Sequence, residues 1–470
     1  MKKLGETKRI GRLSGWFDRF MKKYFDSQTM GYHTVLTIYI PLLIDQAFVA
    51  IMSVVNSSMV SSSGAEAVSA VSMVDSLNFF LTNLFIAIAT GGTVVVAQYI
   101  GKGDEERASK TISQAVTSSV LIAVVVAVFI IVFSKQTLNL LFGKADQLIL
   151  DNALIYLVGS CVSYPFYAVF QAASGALRGL GDTKASMMMS VGMNGIYLVG
   201  NIILIKMVGL GVLGVSVSMV ISRIAVSVFA LLYLLYHRSD LKVRLRDFLT
   251  LDGNIQKSIL YIGIPAGTEQ LFFNGGKILT QTFIVSLGTM SITANAIGMN
   301  LLSLWQIPAN ALQLASITIA GQCVGAGRSD EARRYLKSLN RTARIVCAIM
   351  IAVLAPLTPW ILGFYNPPDE ARMKIMFLMI IPVFGLLTTW APSFVTPSVL
   401  RAAGDATFTT VASLISMWTV RVMLGYVFAI LLGWDIYGVW IAMIVEWCSR
   451  AAIFTWRFKG DKWEHHKVIS

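Results

Sequence analysis

Two acidic side chains, Asp45 and Glu269, each stand four residues after a proline, Pro41 and Pro265, and each is followed by a glutamine, Gln46 and Gln270. Both lie about twelve residues into an apolar run, which at a helical rise of 1.5 Å per residue places them near the middle of a bilayer. Burial favours the neutral form of a carboxylate, reached by taking up a proton or by binding a cation. Two readings are open for the pair: one of them binds a coupling H+ or Na+, or both are braces held by polar groups of neighbouring helices. Transport by Asp45→Asn and Glu269→Gln variants separates the two.

Six more ionisable side chains fall inside apolar runs: Asp75, Arg223, Lys277, Arg421, Glu446 and Arg450. A charge in a bilayer is expensive unless paired or hydrated, so each is a functional candidate. Glu269, Phe273 and Lys277 share a helical face at i, i+4 and i+8, so Lys277 is expected to tune the acid or meet an anionic group, or else to snorkel outward. Glu446 and Arg450, at i and i+4, read as a local ion pair. Asp75 lies about 10 Å into its run, where hydration favours a structural role. Arg223 and Arg421 have no partner visible in the sequence. They are expected to pair with Asp75 or Glu446 or to line a cavity.

Uncharged polar residues cluster in the same runs. Gln46, Asn56, Asn201, Gln270, Asn274, Asn295 and Asn300 are candidates for a cavity wall. Interhelical hydrogen bonding is the competing explanation for each. The 21 methionines fit lipid-facing packing better than an adaptable binding surface. Pro308, Pro382, Pro392 and Pro397 offer kinks.

No catalytic or metal site is expected. The histidines, His33, His237, His465 and His466, lie outside the apolar runs, and no H-E-x-x-H, G-x-S-x-G or P-loop phrase occurs. The four cysteines, Cys161, Cys323, Cys347 and Cys448, have no metal-ligand spacing, and disulfides are not expected. These absences argue against an enzyme, a receptor and an ATP-driven pump.

The elements carrying these residues are helices built for lipid. The chain is 56% hydrophobic and 13% charged, about half the charged fraction of an ordinary globular domain. Apolar runs between breakers predict twelve spans, near residues 33–57, 69–96, 112–133, 152–177, 185–205, 211–236, 258–286, 293–321, 342–362, 375–400, 408–431 and 436–456. With the N-terminus inside, 29 Lys and Arg fall on the inner side and five on the outer, which puts both termini in the cytoplasm. The net charge of +13 therefore reads as topology, and no soluble basic domain suggests nucleic acid. Before the first span, Ile10, Leu13, Phe17, Phe20, Met21 and Tyr24 lie opposite Lys8, Arg9, Arg12, Arg19, Lys22 and Lys23. The pattern is that of a helix on an anionic leaflet, with a disordered basic tail as the alternative.

The chain also repeats itself. A shift of 224 pairs Pro41 with Pro265, Gly64 with Gly288, Gln98, Gly101 and Gly103 with Gln322, Gly325 and Gly327, and Gly214 with Gly438. A shift of 223 pairs Arg178, Gly181 and Asp182 with Arg401, Gly404 and Asp405. Six spans are thus duplicated in like orientation, with a pseudo-twofold axis along the membrane normal and a cavity between the halves. The organisation expected is a basic tail (1–32), a six-helix lobe (33–236), a linker (237–257), a second lobe (258–457) and a C-terminal tail (458–470). The repeated polar phrases read as structural hairpins: Gly101 and Gly103 end a helix, Asp182 caps the next, and Arg178 reaches to the cytoplasmic headgroups.

The order and recurrence of Ile40-Pro41 and Ile264-Pro265, Gln-x-x-Gly-x-Gly after spans two and eight, and L-R-x-x-G-D after spans four and ten resemble the multidrug and toxic compound extrusion (MATE) exporters. The resemblance runs from about Val35 to Arg457. It implies an all-α membrane protein of two six-helix lobes in a V that open to alternate sides. The implied activity is export of small amphipathic, usually cationic, organic compounds in exchange for H+ or Na+, by a monomer in the cell membrane without a cofactor. This chain departs from the family where relatives carry acids: it has Asn56 in VNSSMVS, Ile205 four residues after Asn201, and Trp390 eleven before Arg401. A flippase for lipid-linked or other anionic substrates is the alternative, because four acids face four bases in the spans.

Overall fold

The computed structural model describes residues 22, 24–61, 64–143, 145–237, 243–248, 250–466 and 468–469. The amphipathic pattern before the first span falls almost wholly outside them. Twelve helical passes follow: α1 (Tyr32–Ser61), α2 (Ala65–Lys102), α3 (Glu105–Val132), α4 (Gln147–Leu180), α5 (Thr183–Asn201, continued by a π-turn Ile202–Met207) and α6 (Gly211–Leu232) form one lobe. The other comprises α7 (Gly253–Ser286), α8 (Thr289–Gly325), α9 (Ser329–Tyr365), α10 (Asp369–Leu378, Ile381–Thr388 and Trp390–Ala402), α11 (Ala406–Ile415, wound on through π-turns to Leu431) and α12 (Asp435–Lys459).

Ten of these passes are long and apolar enough to cross a membrane. The two outside that set, α7 and α8, span 34 and 37 residues. Their hydropathy is diluted by Glu269, Lys277 and a run of asparagines and glutamines. Large apolar side chains such as Ile51, Val125, Phe129, Ile278 and Phe364 are exposed, as a surface solvated by acyl chains requires.

Helix ends at the basic face use the turn chemistry of the sequence. Gly103 at φ +80° and Gly181 at φ +88° stop α2 and α4 in a conformation that a Cβ resists. Asp104 then accepts from Arg107 N at 3.0 Å, and Asp182 from Ala185 N at 3.2 Å. Asp405 departs from its repeat partner: its carboxylate caps no backbone N–H and instead receives Arg457 Nε at 2.6 Å and Nη2 at 3.2 Å. That pair ties α12 to the start of α11.

Gly101 and Gly325 do something other than end helices. A Cβ on Gly101 would collide with the backbone carbonyl of Gln322, and one on Gly325 with that of Gln98. The two contacts are the same contact seen from opposite lobes, so the pseudo-twofold axis passes between α2 and α8. Each glutamine completes the exchange: Gln98 Nε2 donates to Ala402 O at 2.7 Å, and Gln322 Nε2 to Gly179 O at 2.9 Å. Both repeated phrases of one lobe are thereby bonded to the complementary phrase of the other.

The rest of this face is tied in the same way. Gln114 of α3 donates to the linker carbonyls of Asp247, at 3.1 Å, and Thr250, and accepts from Asp252 N at 3.1 Å. Tyr335 of α9 donates to Met30 O at 2.6 Å, drawing the segment before α1 onto the opposite lobe. The lobes are thus sealed at the face that carries the linker and the segment before α1.

Candidate functional site

Pro41 has no N–H, so the carbonyl of Thr37 one turn earlier in α1 loses its helical donor. Thr183 Oγ1, at the start of α5, supplies a donor at 3.1 Å and also lies 2.9 Å from Ile38 O. The proline thereby fastens the helix bearing Asp45 to the hairpin bearing Arg178. Position 406, the counterpart of Thr183, is Ala406, so the second lobe lacks this tie.

Asp45 is 7% exposed and faces a cavity of about 760 Å³ in the first lobe. Gln46, Asn56, Asp75, Arg178 and Arg223 share its wall. Leu314 of α8 also lines it, so the cavity borders the space between the lobes. One carboxylate oxygen of Asp45, Oδ1, is buried with no protein partner. Ser190 and Arg178 are its polar neighbours, but among the described residues Arg178 does not close an ion pair with it. Arg178 instead donates to Ser174 Oγ at 3.2 Å.

Asp75 is better satisfied, receiving Tyr156 Oη at 2.9 Å and Asn78 Nδ2 at 3.3 Å. Arg223 donates to Ser163 Oγ at 2.6 Å and lies 4.4 Å from the Tyr167 ring centroid. Two acids and two arginines therefore balance on this wall.

Glu269 meets a different fate. Its Oε2 is 2.8 Å from Arg401 Nη1 and its Oε1 3.6 Å from Arg450 Nη2. Arg450 Nη1 reaches Glu446 Oε1 at 3.3 Å, and Arg421 Nη1 stands 3.9 Å from Glu446 Oε2. A chain of five charged groups thus runs through the buried middle of the second lobe.

Several expectations change here. Arg178 does not reach for headgroups; like Arg401, it turns inward beside the acid of its own lobe, because the hairpin that carries it is gripped by the opposite lobe. The repeat held the signal, since acid and arginine recur at nearly one offset. Glu446 and Arg450 pair as their spacing requires, but as part of a wider network. Lys277 does not pair with Glu269; its ammonium lies 5.0 Å from the Phe273 ring centroid, with Arg421 and Glu446 as its charged neighbours.

The uncharged candidates divide. Gln46 and Asn56 line the cavity, and Asn56 Oδ1 has no protein partner. Asn201 is fully buried and does not belong to the wall. Asn274 is buried, Gln270 and Asn300 are exposed, and Asn295 accepts from Trp440 Nε1 at 3.0 Å. Tyr156, Tyr167, Tyr197 and Ser190, unmarked by any sequence motif, also belong to the wall. Trp390 is buried and stacks on Phe394 at 5.0 Å.

A family model described as MatE matches residues 41–203 and again residues 265–427. Among curated proteins, the chain is 25% identical over 428 residues to an uncharacterized transporter, YisQ, of Bacillus subtilis (strain 168), covering 90% of this chain and 93% of that one. It is 24% identical over 415 residues to the probable multidrug resistance protein NorM of Thermotoga maritima, covering 86% and 87%. A solved structure described as MATE in complex with MaL6 superposes with a TM-score of 0.85 at 18% identity, covering 91% of this chain and 96% of that one. Another, described as the outward-facing conformation of a multidrug resistance MATE family transporter, gives 0.83 at 18% identity with 91% and 95% covered.

Proposed function

Because this chain belongs to the MATE family of transporters, both halves matching its model, we propose that it exports small amphipathic organic compounds by alternating access, driven by inward flow of H+ or Na+. The basic face is cytoplasmic on this reading, since it carries 29 of the Lys and Arg against five opposite. The sealed lobes then represent the outward-open state.

One observation carries the assignment of the coupling site. Asp45 lines the cavity and its Oδ1 is buried with no protein partner, whereas both oxygens of Glu269 are held by arginines. A carboxylate already neutralised by a cation has little to gain from a proton or Na+; an unpaired one gains much. Of the two symmetric acids, Asp45 is the coupling group and Glu269 the brace.

The geometry also offers a transmission path. Neutralising Asp45 removes the charge facing Arg178, and the backbone of Arg178 is held by the other lobe through Thr318 Oγ1 at 2.8 Å. A change of charge in the cavity thus acts on a hairpin that belongs to the interlobe seal.

Proteoliposomes given an imposed pH gradient and, separately, a sodium gradient test the reading with a fluorescent amphipathic dye. Export under one gradient that Asp45→Asn abolishes and Glu269→Gln retains in properly folded protein is the expected result. Undiminished uphill export by Asp45→Asn rules the assignment out.

A further inference from the structure

Four residues on the wall of the first-lobe cavity, Val49, Ser53, Tyr197 and Ser222, are apolar or neutral. A shift of 224 carries them to Phe273, Lys277, Arg421 and Glu446. The shift changes from 223 to 224 after the tenth pass, and Ser416–Val422, which holds Arg421, winds as a π-helix, the form that a single inserted residue takes. The same wall in the second lobe has therefore become an aromatic ring with two cations and one acid.

The charges there do not balance. Arg401 holds Glu269, and Arg450 lies between Glu269 and Glu446. Arg421 and Lys277 are left with only a share of Glu446, 3.9 Å from Arg421. Arg421 is 8% exposed and its Nε–H has no partner; Lys277 is open at the surface and has no ion pair among the described residues. Both heads lie against the Phe273 ring, at 5.9 and 5.0 Å from its centroid, as does that of Arg450 at 5.7 Å. Lys277 has Arg421 as a like-charged neighbour and only Glu446 as an opposite one, so an added anion is favourable beside the two cations.

We propose that Lys277 and Arg421 form a subsite for the anionic group of the transported compound, a carboxylate, phosphate or sulfonate, while Phe273 takes an apolar part of the same molecule. The guanidinium offers a planar fork and the ammonium a point charge, a combination suited to oxyanions. This rests on the exporter reading and narrows its substrates to amphipathic anions and zwitterions. A lipid headgroup and a soluble organic anion present the same chemistry to the subsite.

Two xanthene dyes distinguish the outcomes: rhodamine B keeps a free carboxylate, and rhodamine 6G has it esterified. Binding to the purified full-length protein is measured by fluorescence anisotropy, and transport in proteoliposomes. Rhodamine B is expected to bind about tenfold more tightly than rhodamine 6G, a preference lost in Lys277→Gln and Arg421→Gln and kept in Lys277→Arg. Lys277→Gln also relieves repulsion, so its melting temperature without ligand stays level or rises, and rhodamine B no longer raises it.

Phosphatidylglycerol added to phosphatidylcholine vesicles tests the lipid source. Competition with rhodamine B in the wild type and not in a variant carrying both Lys277→Gln and Arg421→Gln supports the subsite with a headgroup as occupant. Equal affinities of the dyes, failure of rhodamine B to bind, or a preference that survives both Gln variants overturns the proposal. Gradient-driven export of rhodamine 6G that Asp45→Asn abolishes would leave the exporter reading standing in that event.

Discussion

Replacing Gly101 with alanine should open the basic face. The added Cβ would need the Gln322 backbone to retreat by more than about an ångström to reach van der Waals distance. That atom belongs to a helix of the opposite lobe and cannot rotate aside as a side chain can. Overpacking of this kind costs about 1–3 kcal/mol. The clash exists only while α2 and α8 are in contact, so the cost falls on the sealed state alone and moves the equilibrium about 5- to 150-fold toward states with this face open. Gly103 is the control: it has nothing within 4 Å of a built Cβ but sits at φ +80°, so Gly103→Ala adds about 1–2 kcal/mol of local strain in every state. Nitroxide labels at Lys184 and Thr407, exposed repeat counterparts on the two hairpins, report the separation by pulsed electron resonance in a background lacking the four native cysteines. Gly101→Ala should lengthen the dominant distance, and Gly103→Ala should lower thermal stability without doing so. An unchanged distance distribution in Gly101→Ala, or an equal shift in Gly103→Ala, refutes the reasoning.

Other outcomes follow from the same contacts. Gln98→Ala and Gln322→Ala each remove one interlobe hydrogen bond, worth about 0.5–1.5 kcal/mol, and the same labels should show a several-fold loss of the sealed state, larger in the double variant. Glu269→Gln leaves Arg401 and Arg450 buried without their shared acid and should lower stability by about 3–5 kcal/mol, read as a fall in the thermal unfolding midpoint, whereas Asp45→Asn should leave that midpoint level or raise it. Arg457→Met leaves Asp405, 3% exposed, with only the His466 imidazole 3.4 Å away, and should cost about 3 kcal/mol by the same measure. A cysteine introduced at Thr250 should react with membrane-impermeant maleimide only from the cytoplasmic side; labelling from outside would invert the proposed orientation.

The sequence by itself determined the architecture. Hydropathy set the passes, the asymmetry of Lys and Arg gave the proposed orientation its basis, and a shift of 224 residues set the twofold relation, because each depends only on composition and local spacing. The candidate acids were legible for the same reason: a charge in an apolar run is visible without coordinates. Tertiary structure alone decided which of the two is held by arginines. Asp45 and Glu269 look alike in sequence, and their arginines recur beside them, yet only Glu269 is bonded to its arginine, with Arg450 of α12 supplying a second cation. The role of Gly101 was hidden too, since a glycine that ends a helix and one that admits a neighbouring backbone read the same along the chain. Contacts between helices that are hundreds of residues apart leave no local pattern, and here they separate the acid held by arginines from the one that is not.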